Sequence, residues 1–164
     1  MTSREIARGY DRAPSSPPLA VRHIFLQSIL MTEASFFAQR GANRVTPKIM
    51  QNLLHRLPML KAEFTQIQAP KFPHLVDQLE FLADVVEDVA EGAYAELPYS
   101  AATASAFALI YTHRLLDIIP DFVSNISFED DSAVVRVVLS LYEKDFEKYA
   151  LAQHLNWKKI TLKP

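Results

Sequence analysis

Apolar residues recur at helical spacing along most of this chain, and the places where that rhythm stops divide it into elements. Leu19 to Arg40 reads as a helix. Val21, Ile24, Phe25, Ile29, Met31, Phe36 and Phe37 make its apolar stripe wide enough to be buried on more than one side, and Gly41 reads as its C-terminal stop. Thr46-Pro47 has the form of a helix start, with Thr as N-cap and Pro in the first turn. Ile49, Met50, Leu53, Leu54 and Leu57 follow at helical spacing, Pro58 is expected to break or kink the helix, and Met59 to Gln68 continues as a second piece. Ala69-Pro70-Lys71-Phe72-Pro73 is a linker.

Leu75 to Ala93 has the cleanest amphipathic pattern. Leu75, Val76, Leu79, Leu82, Ala83, Val86, Val89, Ala90 and Ala93 keep the alternation of three and four. Asp77, Glu80, Asp84, Glu87, Asp88 and Glu91 take the other side with no basic residue among them. Each like-charge pair four residues apart costs about 0.2–0.5 kcal/mol, so this face is either well solvated or opposed by positive charge. Gly92 to Ser100, with Pro98, is a turn, and Ala101 to Leu116 is a helix whose many alanines permit close approach and place it centrally. His113 and Asp117 fall on one face if that helix persists. Ser132 to Tyr149 reads as the last long helix, with Val134, Val138, Leu141, Tyr142 and Phe146 inward, although Val134, Val135, Val137 and Val138 favour strand by propensity. Leu151 to Pro164 is a short helix or tail.

These elements predict an all-α fold, a compact helical bundle of about five to six helices. The chain of 164 residues has the length of one domain. Residues 1–18 read as a flexible leader, since Pro14, Pro17 and Pro18 disfavour helix there. Residues 19–164 read as a single helical domain with an N-terminal portion over 19–68. The three glycines suit helices better than turn-rich sheet. The absence of cysteine excludes a disulfide framework and thiolate metal sites, and fits a cytoplasmic location. No window reaches the roughly 18 uninterrupted apolar residues of a membrane span.

Charge is segregated. Residues 1–61 hold nine Lys/Arg against three Asp/Glu, residues 62–131 hold two against thirteen, and residues 132–164 hold six against three. A basic end beside an acidic middle suggests internal pairing, or a surface for a partner. The basic N-terminal half, with Arg44, Lys48, Arg56 and Lys61, is the nearest candidate to oppose the carboxylates of 75–93.

The stretch Asp117 to Asp131 concentrates constrained residues. Pro120 stops the preceding helix near Asp117, Asp121 can accept backbone N–H groups in the turn, and Asp130 or Asp131 can cap the next helix. Asp117, Ile119, Pro120, Asp121, Phe122, Asp130 and Asp131 resemble, in identity and spacing, the signature of the YkvA-like domain of unknown function, a small helical domain found mainly in bacteria. Ser124 and Ser127 depart from that signature, which has Pro and Gly there. The resemblance covers 75–149 and implies a helical fold without an assigned reaction.

Phosphate-binding loops, nucleophile elbows and zinc-protease or dinucleotide motifs are absent, and the five histidines show no zinc spacing. One candidate site remains. If the connection folds back, Asp117, Asp121, Asp130 and Asp131, with His113 nearby, supply oxygen ligands of the kind that suit Mg²⁺, Mn²⁺ or Ca²⁺. The competing reading gives the same carboxylates to the turn and the helix cap. Three functions follow in order of expectation. The first is a non-catalytic interaction module that self-associates or binds a protein partner. The second is a peripheral protein that meets a membrane surface through its basic leader or through Trp157, Lys158, Lys159 and Lys163. The third is a divalent-metal-dependent enzyme built on the acidic residues. Nucleic acid is not an expected partner.

Overall fold

A computed structural model of the chain describes residues 33–113 and 128–161, with the side chains of Phe128, Glu129 and Asp130 left outside the description. All regular structure among the described residues is helical, as the periodicity predicts. The described residues form seven helices: α1 over residues 33–42, α2 Pro47–Phe64, α3 Leu75–Ala90, α4 Tyr99–Thr112, α5 Phe128–Leu141, α6 Glu143–Ala152 and α7 Trp157–Thr161.

The arrangement is built around α4. Every residue from Ala101 to Tyr111 is buried, so this helix has no solvent face along most of its length. Its alanines let α3 and α5 approach from either side, and α2 packs on both α3 and α4. A helix buried all round must satisfy its polar side chains internally. It does so by bonding back one turn: Thr103 Oγ1 donates to Ser100 O, Ser105 Oγ to Ala101 O at 2.9 Å, and Thr112 Oγ1 to Ala108 O.

Aromatic rings gather at two places. Phe37 of α1 meets Phe107 and Tyr111 of α4 edge-on, with centroids 5.5 and 5.3 Å apart. Elsewhere Phe81 of α3 meets Phe146 and Tyr149 of α6 and Trp157 of α7, each at 5.6 Å. The α2 helix, with Leu53, Leu57, Leu60 and Phe64 buried, joins the N-terminal portion to the rest of the core.

Five local expectations are corrected. Gly41 does not end its helix. The helix runs through it to Ala42, and Gly41 is a contact glycine: a Cβ there would strike the ring of Phe107. The chain turns only at Asn43 and Arg44, where Arg44 N–H donates to Gly41 O and Val45 N–H to Ala42 O. The expected stripe from Leu19 to Met31 lies outside the described residues, while Ala38, Gly41, Ala42 and Val45 form the inward face that is described. Pro58, in turn, does not split α2, which is one helix from Thr46, whose Oγ1 accepts the Ile49 N–H, to Phe64. Pro58 lies on the exposed side, so the carbonyl it leaves unbonded is the half-exposed Leu54's, while Leu57 and Leu60 continue the buried stripe without interruption.

The expected helix from Ser132 to Tyr149 is two helices, α5 and α6, broken at Tyr142 (φ −120°, ψ 26°). Next, α5 begins at Phe128, so Asp130 and Asp131 lie within its first turn and not ahead of it as caps. The α3 helix ends at Ala90, three residues before the expected Ala93, through a Schellman closure. Gly92 (φ 74°) takes the left-handed position, Ala93 N–H donates to Asp88 O at 2.8 Å, and Gly92 N–H donates to Val89 O.

Candidate functional site

The acidic face of α3 is opposed by positive charge and by hydrogen-bond donors from two neighbouring helices. Lys61 of α2 donates to Glu87 Oε2 and lies 2.9 Å from Asp84 Oδ1. Burial by itself would lower the Lys61 ammonium. Its hydrogen bonds to Glu87 and Asp84, and their charges, outweigh that and hold its pKa above the ordinary 10.5. One basic residue of the N-terminal half therefore does oppose these carboxylates. Further along the same face, Asp88 Oδ2 accepts from the Tyr149 hydroxyl at 2.7 Å and from Gln153 Nε2 at 2.9 Å, tying α3 to α6. Burial and the Asp88 carboxylate together raise the Tyr149 phenol well above its usual range. Near the start of α3, Asp77 lies 3.8 Å from Lys159 of α7. These contacts bind helix to helix, and structural support is their chemistry.

The four candidate metal ligands are not brought together within the described residues. Asp117 and Asp121 lie outside them. Asp130 belongs to α5, with its side chain outside the description. Asp131 is buried in the first turn of α5, at 3 % exposure. Among the described residues no three His, Cys, Asp or Glu side chains converge as a metal site. His113 ends α4, tilted against Phe64 with ring centroids 5.0 Å apart, and its Nδ1 lies 3.2 Å from Leu109 O. Burial lowers its pKa below the ordinary 6.5, against the opposing pull of the Leu109 carbonyl and the Glu63 charge.

Trp157, a candidate membrane contact from the sequence, is half-buried against Phe81 and Phe146, while Lys158 and Lys159 remain exposed. No helix among the described residues is long and apolar enough to cross a membrane.

The sequence reading missed one concavity. A pocket of about 210 Å³ opens where α5, α6 and α7 meet above α3. Arg136 and Leu139 of α5, Glu143 at the start of α6, and Trp157 and Thr161 of α7 line it. Gln78 of α3, 4 % exposed, also lines it, and its Nε2 donates to Ile160 O at 3.0 Å. That bond fixes the orientation of the carboxamide and leaves its Oε1 as the acceptor. Local turns set α7 across the groove. His154 (φ 58°) closes α6, with Leu155 N–H donating to Ala150 O, and Asn156 Oδ1 caps the next turn at Lys159 N–H. The signal that could have found this site is the polar spacing of Arg136, Ser140 and Glu143, a narrow stripe on an otherwise valine-rich segment.

Compared with protein-family models, curated proteins and solved structures, the chain matches none of them.

Proposed function

We propose that this chain is a non-catalytic helical interaction module that self-associates or binds one protein partner in the cytoplasm, and that its helical core is of the YkvA-like kind. One observation carries the interaction reading. Of two adjacent phenylalanines on α1, Phe37 packs on Phe107 and Tyr111, whereas Phe36 stands 62 % exposed. The helix therefore presents a large apolar side chain away from the core that its other face serves. Large aromatic side chains left in water are characteristic anchors of protein interfaces. The pairing of the α3 carboxylates with Lys61, Tyr149 and Gln153 also supports the reading, because those groups are engaged in holding helices together.

Light scattering coupled to size exclusion, together with pull-down by the intact chain, tests this. The expected result is a mass above the monomer or a single retained protein, with Phe36→Ser losing either one while its melting temperature is unchanged. A wild-type chain that stays monomeric at high concentration and retains no partner rejects the module.

A further inference from the structure

We propose that the pocket between α5, α6 and α7 binds a free amino acid. Arg136 and Glu143 line the same pocket with opposite charge, yet among the described residues neither makes a hydrogen bond or ion pair, with each other or with any neighbour. Elsewhere on the molecule Asp77, Asp84, Glu87 and Asp88 of α3 do find partners, so two opposite charges that line one cavity with no partner among the described residues stand apart. The buried Gln78 carboxamide lines the same pocket, and with its Nε2 bonded to Ile160 O it has Oε1 left as an acceptor.

These groups divide the occupant's chemistry. The Arg136 guanidinium takes a carboxylate, for which its planar fork is matched. Glu143 and Gln78 Oε1 accept from an ammonium group. The indole of Trp157, packed against Phe81 and Phe146, and the Leu139 side chain supply apolar surface for the remainder. A volume of about 210 Å³ falls below the roughly 300–1,000 Å³ of pockets for drug-sized ligands, which sets the occupant at amino-acid size. A peptide carries its amine and its terminal carboxylate at opposite ends, so a free amino acid is the molecule that presents both within one such pocket.

Trp157 is the only tryptophan in the chain, so its fluorescence reports occupancy directly. Each proteinogenic amino acid except tryptophan is titrated into the full-length protein up to the millimolar range, and tryptophan itself is followed by calorimetry. The expected result is a saturable signal with at least one of them. For the best binder, the des-amino acid, the decarboxylated amine and the N-acetyl amino acid each bind at least about tenfold more weakly, as loss of a charge-assisted bond requires. Arg136→Gln weakens binding of the intact amino acid by at least about tenfold. Glu143→Gln weakens it too, but leaves the affinity for the des-amino acid unchanged. Both variants keep the wild-type melting temperature, since neither side chain has a partner among the described residues to lose. No saturable signal from any amino acid overturns the proposal. So does binding that survives Arg136→Gln, or that is equally strong for the des-amino acid.

Discussion

The contact of α1 with α4 and the contact of α3 with α2 and α6 hold the same bundle by different means. The first is a matter of shape. Gly41 lies against the ring of Phe107, and Phe37 and Tyr111 close around that ring edge-on. The second adds polar ties to packed rings such as Phe81 against Phe146 and Tyr149. Lys61, Tyr149 and Gln153 bring donors to Asp84, Glu87 and Asp88 across the gaps between helices. Packed shape answers to volume and ignores ionic strength and pH. Polar ties tolerate changes of volume but respond to salt and protons. The difference decides which perturbation each region should feel.

The largest effect is expected where shape rules. Gly41→Ala gains about 1 kcal/mol of helix propensity but drives a methyl into a ring held between Phe37 and Tyr111. Overpacking of this kind costs typically 1–3 kcal/mol, and the close approach to the ring places Gly41 at the upper end, so after the propensity gain a net loss of up to about 2 kcal/mol should appear in urea unfolding. The loss should be the same at low and high salt. Phe107→Leu in the Gly41→Ala background should recover part of it, and a strictly additive double mutant would mean that this contact does not limit the approach of the two helices.

Next comes the polar region. Tyr149→Phe keeps the ring contacts with Phe81 and Tyr94 and removes only the donor to Asp88. A hydrogen bond to a charged group is worth about 1.5–3 kcal/mol, and Asp88 retains Gln153 and access to water, so about 1.5 kcal/mol is expected. Unlike the Gly41 effect, this one depends on pH. The phenol is raised in the folded state, so the unfolded chain ionises first above pH 10 and wild-type stability falls there. The part of that alkaline decline due to Tyr149 should vanish in the phenylalanine variant. An unchanged alkaline limb would show that Tyr149 is not the group responsible.

At the far end of α4, His113 extends the same contrast to acid. Its pKa is lowered by burial, so as pH falls below 6.5 the unfolded chain takes up a proton before the folded chain does. Its contribution is therefore present above that pH and is lost as pH falls towards the folded value. One such proton gives a slope of at most about 1.4 kcal/mol per pH unit. His113→Leu, which keeps an apolar group on Phe64, should flatten the stability curve between pH 6.5 and 5. Parallel curves for the two proteins would place the acid sensitivity elsewhere.

These regions also show what could be read from residues alone. The helical class and the central position of α4 were legible, because periodicity and a run of alanines report directly on burial. The Thr46 cap was legible because its bond is local. The role of Gly41 was not: a glycine near a helix end and a glycine under a ring look alike until Phe107, far along the chain, is placed. The break at Tyr142 was hidden because Val138, Tyr142, Phe146 and Tyr149 keep helical spacing across it, with neither Gly nor Pro to mark it. Pro58 misled because its cost depends on which side of the helix faces water. The pocket was illegible for a related reason. Gln78, Arg136 and Trp157 come from three separate helices, and only their packing makes one site.

The smallest expected effect compares two helix ends with the same bonds and different residues. The α3 and α6 helices both finish in Schellman closures, with Gly92 at φ 74° in one and His154 at φ 58° in the other. No atom lies within 4 Å of where a Cβ on Gly92 would be, so Gly92→Ala should cost only the backbone penalty of a left-handed alanine, about 1 kcal/mol. His154 already bears that penalty, and its side chain is exposed. His154→Gly should relieve it, offset in part by the extra freedom of glycine in the unfolded chain, for a net gain of about 0.5 kcal/mol. The gain should be indifferent to salt, as at Gly41, because shape again decides it. A loss of stability instead would mean that the imidazole is doing something at the α6–α7 turn beyond occupying a strained position. Amino-acid binding measured on the same variant would then show whether that turn positions α7 over its pocket.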